Sequence, residues 1–598
     1  IDALSAGTGV APPLTGGTFG PAPGYQMLPF SRTAYANRDT DQTIKDSGVS
    51  AEVNIDTDWF GGSTLTSITG LRRWSSFGGQ DIDYTGADIL YRPNDGGYGS
   101  KFNTFSQELR LGGSTERLDW MVGLFYAKED LNNSQSYAYG ADYTPYLSLI
   151  LTAGAGLTPN AGRLGCLTNP AGFSATCFGA GIPAPAGPVF TAQKAVQDHY
   201  DQSDETIAFF TNNTVKLTDA LELTVGLRYT KDDKKLTSRY DNLGANGQAC
   251  GGALGNQGNA NPALRTPGSL LVPICLPWAN PLFDGLTTNQ NRSENEWSGT
   301  AKLAYRWSPA LMTYVSYARG YKAGGFNLDR IQSSNGLPSG SPGVAPVHDT
   351  SFEGEFVDSW EIGAKSTLFD GKFLLNVAIF DQKYDNFQLN TFLGTSFVVE
   401  SIPELNSKGV DVDFIWFTPM EGLTVQGGVT RADTEYGNFT AADLIAPSHF
   451  PSLSLLPGNT MSFAPKWSSS IAFSYDHDIG GNMRFTANLG AKYTSEYNTK
   501  SDLLPAGIQD SMTLVNGRIG FGSADERWTV EVWGNNLTDE GYNQVVFNAP
   551  LQGTAFQSSV TASGPYAGTY YDPSKDTQTY NSFLGAPRTY GVTLRLKY

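Results

Sequence analysis

Long apolar runs are what this chain most plainly lacks: no window of its 598 residues approaches 18 consecutive apolar positions, which excludes helices that cross a membrane. Mean hydropathy is -0.28. Membrane-spanning strands escape that exclusion, because their apolar residues alternate with polar ones. Charge is scarce as well, at 16% of residues against roughly 25% in ordinary globular chains. Basic residues are fewer than acidic ones, 40 Lys and Arg against 58 Asp and Glu, for a net charge of -18. That balance repels phosphate backbones, so nucleic acid is not expected as a partner.

Cysteine and histidine are equally sparse. Cys166, Cys177, Cys250 and Cys275 fall as two locally spaced pairs in Gly/Pro/Asn-rich segments. Neither spacing is CxxC, and His199, His348, His449 and His477 are scattered. The pattern predicts two loop disulfides in an oxidising compartment and no zinc site. The same scatter leaves no local Ser, His and Asp arrangement, and no enzymatic activity is expected. The acidic groupings Asp81, Asp83 and Asp88, and Asp411 and Asp413, read as groups that keep an inner or rim surface wet, with a bound cation as the less favoured alternative.

Glycine, at 68 residues, and aromatics, at 12%, are abundant, and they sit in a period of two sustained for about ten residues at a time. In RTYGVTLRLKY, residues 588 to 598, Tyr590, Val592, Leu594, Leu596 and Tyr598 share one face, with Thr589, Gly591, Thr593, Arg595 and Lys597 on the other. LELTVGLRYT (221 to 230) and MRFTANLGAKYT (483 to 494) divide the same way. Strands of a soluble sandwich run about five or six residues, and these run about twice that. Their connections alternate in length. Tight ones, such as FGGS at 60 to 63, Asp370-Gly371, MEG at 420 to 422 and GG at 480 to 481, separate long segments near 140–200, 241–289, 329–355, 440–460 and 547–586. Short turns on one rim and long loops on the other predict an all-β transmembrane antiparallel barrel of the bacterial outer membrane.

About seventeen strands are expected within 42–598, with 1–41 an extracellular loop leading into them. Single-chain bacterial barrels carry even counts, and the first strand runs down toward a short turn. The sequence is therefore expected to be the C-terminal part of a longer polypeptide or of a two-chain assembly; if the complete barrel has about 22 strands, as plugged outer-membrane transporters do, about five strands are not in this sequence.

Within this pattern, TYVSYARGYKAGGFN at 313 to 327 places Tyr317 and Tyr321 where an aromatic girdle is expected, while Arg319 shares their face and belongs at an interface. YVSYARGYKAGGFN resembles the signature strand of TonB-dependent outer-membrane receptors. TLTSITGLRRW (64 to 74), WGNNLTDEGY (Trp533 to Tyr542) and the closing strand with its terminal aromatic Tyr598 match that family in order. The resemblance implies a plugged barrel, a Ton box, an energising TonB complex in the inner membrane, and active uptake of a bulky, scarce solute. A ferric chelate such as an iron-siderophore is favoured as cargo, with carbohydrate, vitamin or aromatic compound as alternatives and no covalent cofactor. A passive porin-like channel and a surface adhesion or assembly barrel are the readings outside that mechanism. Expected partners are outer-membrane lipid and lipopolysaccharide, the plug and Ton box, TonB and a surface lipoprotein.

Candidate ligand residues are the lumenal cations Arg228, Arg484 and Lys492, which would grip an anion or pair with a plug, and the loop tyrosines Tyr137, Tyr139 and Tyr143, which would stack on a ring or close the loop on itself. Asn535, Asn536 and Asp539 of the NNLTD run are expected to be structural or plug-facing.

Overall fold

The structure, a computed structural model, describes residues 30, 32, 36–154, 190, 192–255, 260, 274–330, 348–392, 397–445, 449–551, 563–567 and 580–597. Cys166, Cys177, Tyr598 and nearly all of the opening segment lie outside them.

Among the described residues, seventeen long strands form one continuous antiparallel sheet, each paired with its neighbours in sequence. They are β1 (Gln42–Thr57), β2 (Ser63–Gly78), β3 (Gly99–Ser114), β4 (Leu118–Tyr139), β5 (Lys194–Lys216), β6 (Leu221–Tyr240), β7 (Leu286–Ser308), β8 (Leu311–Lys322), β9 (Glu355–Leu368), β10 (Phe373–Phe392), β11 (Phe397–Phe417), β12 (Leu423–Tyr436), β13 (Trp467–Gly480), β14 (Met483–Thr494), β15 (Met512–Ser523), β16 (Trp528–Asn535) and β17 (Thr589–Leu596). Two short pieces, Gln80–Asp81 and Leu90–Arg92, extend the same sheet above β4. No helix among the described residues is long and apolar enough to cross a membrane.

The alternation read from the sequence sorts side chains onto two faces. Val49, Val53 and Leu71 on β1 and β2, Ile207 and Phe209 on β5, Trp360 and Ile362 on β9, Ile379 on β10 and Val592 and Leu594 on β17 are large apolar groups that stay exposed on the outer face. In water such a surface would drive aggregation; in a bilayer it is the solvated surface. Rings bound it at both ends. Trp297 packs on Tyr229 and Tyr317 on Trp360 toward the long-loop side, and Tyr305 packs on Trp307 toward the turn side. From Trp297 to Tyr305 along β7 is roughly 26 Å at about 3.3 Å per residue, or roughly 20 Å of height at a strand tilt of about 40°, within the apolar band of about 25 Å that such barrels present.

Arg319 lies at the upper girdle. It pairs with Asp358 at 2.9 Å and sits over the Phe356 ring, while Tyr317 donates its hydroxyl to the same carboxylate at 2.5 Å. The guanidinium on the outer face is thus neutralised at an interface, where a charge is tolerated.

On the turn side the connections are tight. Asp370 and Gly371 adopt φ of 55° and 86° between β9 and β10, the left-handed pair that a two-residue hairpin requires. On the other side β4, β5 and β7 run to 22, 23 and 23 residues and stand well above the girdle.

Candidate functional site at the loop-side mouth

The mouth is built by the upper halves of β4 to β7 and by the segment that leaves β8. Residues of even number on β5, β6 and β7 face the lumen, and the register sets Asp204, Lys234 and Arg292 side by side, with Thr206, Asp232 and Glu294 in the next row. Lys234 bridges Asp204 at 2.9 Å and also contacts Asp232, which accepts from Thr206 Oγ1 at 2.9 Å. The three charged side chains are buried. A buried lysine keeps its proton only with such partners, since desolvation disfavours the cation and two carboxylates restore it.

Past Lys322 the chain turns inward across this wall. The amide of Gly324 donates to Glu294 Oε2 at 3.0 Å, and the hydroxyl of Tyr321 donates to the same oxygen. A Cβ on Gly324 would lie 2.5 Å from Arg292 Nε and from the Phe352 carbonyl, and one on Gly325 would lie 2.7 Å from the Phe352 ring. Only glycine fits that approach. Phe326 then buries against Tyr200, Leu236, Tyr240 and Phe283. Asn327 exchanges hydrogen bonds with Val399 on β11, donating from Nδ2 at 3.0 Å and accepting from the amide at 2.7 Å. Arg330 closes the run on β5, where its Nε and Nη2 reach both oxygens of Asp198 at 2.6 and 2.7 Å. Arg330 is 3% exposed and Asp198 1%.

Above this wall the long loops pack as a cap. Helix α1 (Tyr143–Gly154) and helix α2 (Gln248–Gly255) share a core with Tyr137, Tyr139, Trp278 and the Cys250–Cys275 disulfide. Tyr137 stacks on Trp278 at 5.5 Å and takes a hydrogen bond from Arg92 at 2.9 Å; Tyr139 packs on Tyr143 at 4.3 Å and donates to Asn246 at 2.8 Å. Burial pushes the Tyr137 phenol up to about 12, against the opposing pull of Arg92. All three candidate tyrosines are therefore interior residues of the cap, with their rings and hydroxyls already engaged.

The acidic groups of the loop after β2 are structural acceptors. Asp83 accepts from the amides of Thr85 at 3.1 Å and Leu90 at 3.0 Å, Asp81 from those of Asn37 and Tyr84, and Asp88 forms a two-pronged pair with Arg38 at 2.8 and 2.6 Å. Burial first, and the neighbouring Asp81 second, raise Asp83 to about 7. Among the described residues no group of three or more metal-ligating side chains converges. Asp411 and Asp413, facing the lumen from β11, accept from Thr430 at 2.5 Å and Asn376 at 2.9 Å.

The candidate cations are placed far apart. Arg228 faces the lumen from β6, within 5.2 Å of the Phe125 ring and 5.6 Å of the Phe210 ring, with Thr230 accepting at 3.0 Å. Lys492 faces the lumen from β14, opposite Ser470 and Leu514. Neither forms a salt bridge among the described residues. Arg484 lies instead at the turn-side rim, held between Asp476 and Glu526, with its Nε 2.7 Å from Asp476. Asn536, at φ 49°, donates to the carbonyls of Glu540 and Ala586 at 2.9 and 3.0 Å and accepts from the Glu540 amide at 2.9 Å. Asp539 accepts from the Arg588 amide at 3.0 Å, while Asn535 ends the ladder opposite Thr589. Asn536 and Asp539 thus fasten the turn after β16 to the return into β17.

Sequence reasoning missed the Arg330–Asp198 pair, the Lys234 network and a buried pair between His449, in the loop after β12, and Glu400 of β11. The one available signal was the double glycine of KAGGFN, which marks a close backbone approach without naming its partner.

Comparison with known proteins agrees with this architecture. The family model described as "TonB dependent receptor-like, beta-barrel" matches residues 4–537. The ferric yersiniabactin uptake receptor FyuA from Yersinia pestis is similar in structure, with a TM-score of 0.59 at 13% identity, over 93% of this chain and 61% of that one. The siderophore receptor PiuA from Acinetobacter baumannii gives 0.50 at 14% identity, over 86% and 62%. The chain thus spans about three fifths of the length of these solved structures.

Proposed function

The chain belongs to the TonB-dependent receptor β-barrel family of the bacterial outer membrane, and from that premise we propose that it takes part in active uptake of a bulky, scarce solute, with a ferric chelate of the siderophore type as cargo. The family match over residues 4–537 carries the reading. The likeness to FyuA and PiuA supports the fold, and the cargoes printed in their names motivate the choice of iron. Binding in this reading is non-covalent and falls to the lumenal wall and loops, where Arg228 and Lys492, which form no salt bridge among the described residues, offer positive charge to an anionic chelate. Gating and energy coupling belong to a plug, a Ton box and the TonB complex, and the barrel supplies the walls. No step requires a catalytic residue or a resident cofactor.

A strain deleted for the protein tests this on defined sources. Growth should fail on one or more ferric chelates at limiting iron and recover with the gene restored. Failure confined to a carbohydrate, a cobalamin or an aromatic carbon source would move the cargo to that class within the same mechanism.

A further inference from the structure

We propose that residues 323–330 form a strap that lifts from the inner wall of β5 to β7, with the Arg330–Asp198 pair as its latch, and that lifting opens the row Tyr200, Ser238 and Thr288 to the lumen. These three residues are register partners on adjacent strands, Tyr200 opposite Ser238 and Ser238 opposite Thr288. All face inward, and all are buried, at 1%, 1% and 6% exposure. Among the described residues their hydroxyls have no hydrogen-bond partner. A wall sealed for good beneath Phe326 would be better served by apolar side chains, because a buried hydroxyl without a partner forfeits its hydration. Hydroxyls are the right choice for a wall that is wetted, or that meets a polar ligand, in another state of the mouth.

The strap is also built to move as one piece. Gly324 and Gly325 carry no side chain to hold the base of the strap on the wall. Its attachments fall in two sets: on the far side Gly325 and Phe326 pair with Phe352 and Ser351, the amide of Asn327 donates to Thr350 and the Ala323 carbonyl accepts from Gln388, while on the wall the amide of Gly324 meets Glu294, Phe326 fills one apolar pocket, Asn327 bonds Val399, and Arg330 pairs with Asp198 and donates to Asn242 at 2.7 Å and to the Pro277 carbonyl at 3.4 Å. The two-pronged ion pair is the strongest of these, since both charges are dry and each would be left uncompensated without the other.

The test needs no cargo. Ser238→Cys is introduced into the full protein, and labelling by a membrane-impermeant maleimide is followed in outer membranes, with the unsubstituted protein as background. The expected result is slow labelling with Arg330 intact, a rise in rate of tenfold or more with Arg330→Gln, and an intermediate rate with Arg330→Lys. A lumenal site away from the strap, Lys302→Cys, should label equally in all three backgrounds. Hydrogen exchange of the unsubstituted protein is the second readout, which stands even if a variant fails to assemble: the amides of Phe326 and Asn327 should exchange at least tenfold faster than ladder amides of β6. Ser238→Cys that stays unlabelled in every background, or strap amides as protected as those of β6, would overturn the proposal and leave the row sealed beneath a fixed strap.

Discussion

Trp278 donates its indole N–H to the hydroxyl of Tyr143 at 3.2 Å. Trp278 lies in the connection between β6 and β7 and Tyr143 in that between β4 and β5, so this contact joins two loops that the barrel walls alone would leave independent. Trp278→Ala removes a ring that is 2% exposed, a change that costs about 3–5 kcal/mol in a packed core. The loss should stay in the cap. Limited proteolysis should cut within α1 at least tenfold faster than in the parent, while the heat-modifiable mobility of the barrel is unchanged.

Reduction should act on the same unit. Cys250 and Cys275 are 25 residues apart and close a loop beneath Trp278, and a cross-link of that span is worth about 3 kcal/mol. Cys250→Ser with Cys275→Ser should raise hydrogen exchange in α2 and around Trp278. Strand amides of β6 should keep their protection.

The loop after β2 should lose stability as pH rises. Asp83 has its folded-state value raised, so its neutral form is favoured and the cost of ionising it builds up from the ordinary carboxylate range to about pH 7. Exchange protection of the Thr85 and Leu90 amides, both bonded to this carboxyl, should therefore be greater at pH 5 than at pH 8. In Asp83→Asn that pH dependence should shrink, whatever the variant does to the absolute level.

Lipid and lumen faces should answer differently to the same new charge. Ile379 is 57% exposed on the outer face of β10, opposite Ile362 and two residues from the row of Trp360, and Ala378 beside it faces the lumen opposite Asp411. Ile379→Arg should cost about 1–3 kcal/mol, between the interface and midplane values, in unfolding from bilayers by urea. Ala378→Arg should lie close to the parent.

Strand count, the two-faced alternation and the split between tight turns and long loops were all legible in the sequence, because each is set by local chemistry: period-two patterning, Asp370-Gly371 at a hairpin, and aromatic residues at fixed heights. The interior of the mouth was not. Tyr137, Tyr139 and Tyr143 read either as stacking on a ring or as closing the loop on itself, and nothing local announces the helices and disulfide that bury them. Arg330 and Asp198 lie 132 positions apart, and their meeting depends on the inward turn of KAGGFN. Arg484 has the lumenal parity of Arg228 and Lys492, but parity along a strand does not report height, and height places it at the rim between Asp476 and Glu526.

Energised uptake tests the central claim most directly. Cells that make the protein, and cells that lack it, would be given ⁵⁵Fe as each chelate that supports growth only when the protein is present, with and without a protonophore. The account predicts protein-dependent accumulation that collapses when the proton-motive force is removed. Accumulation that is indifferent to the protonophore, or equal in cells without the protein, would contradict it.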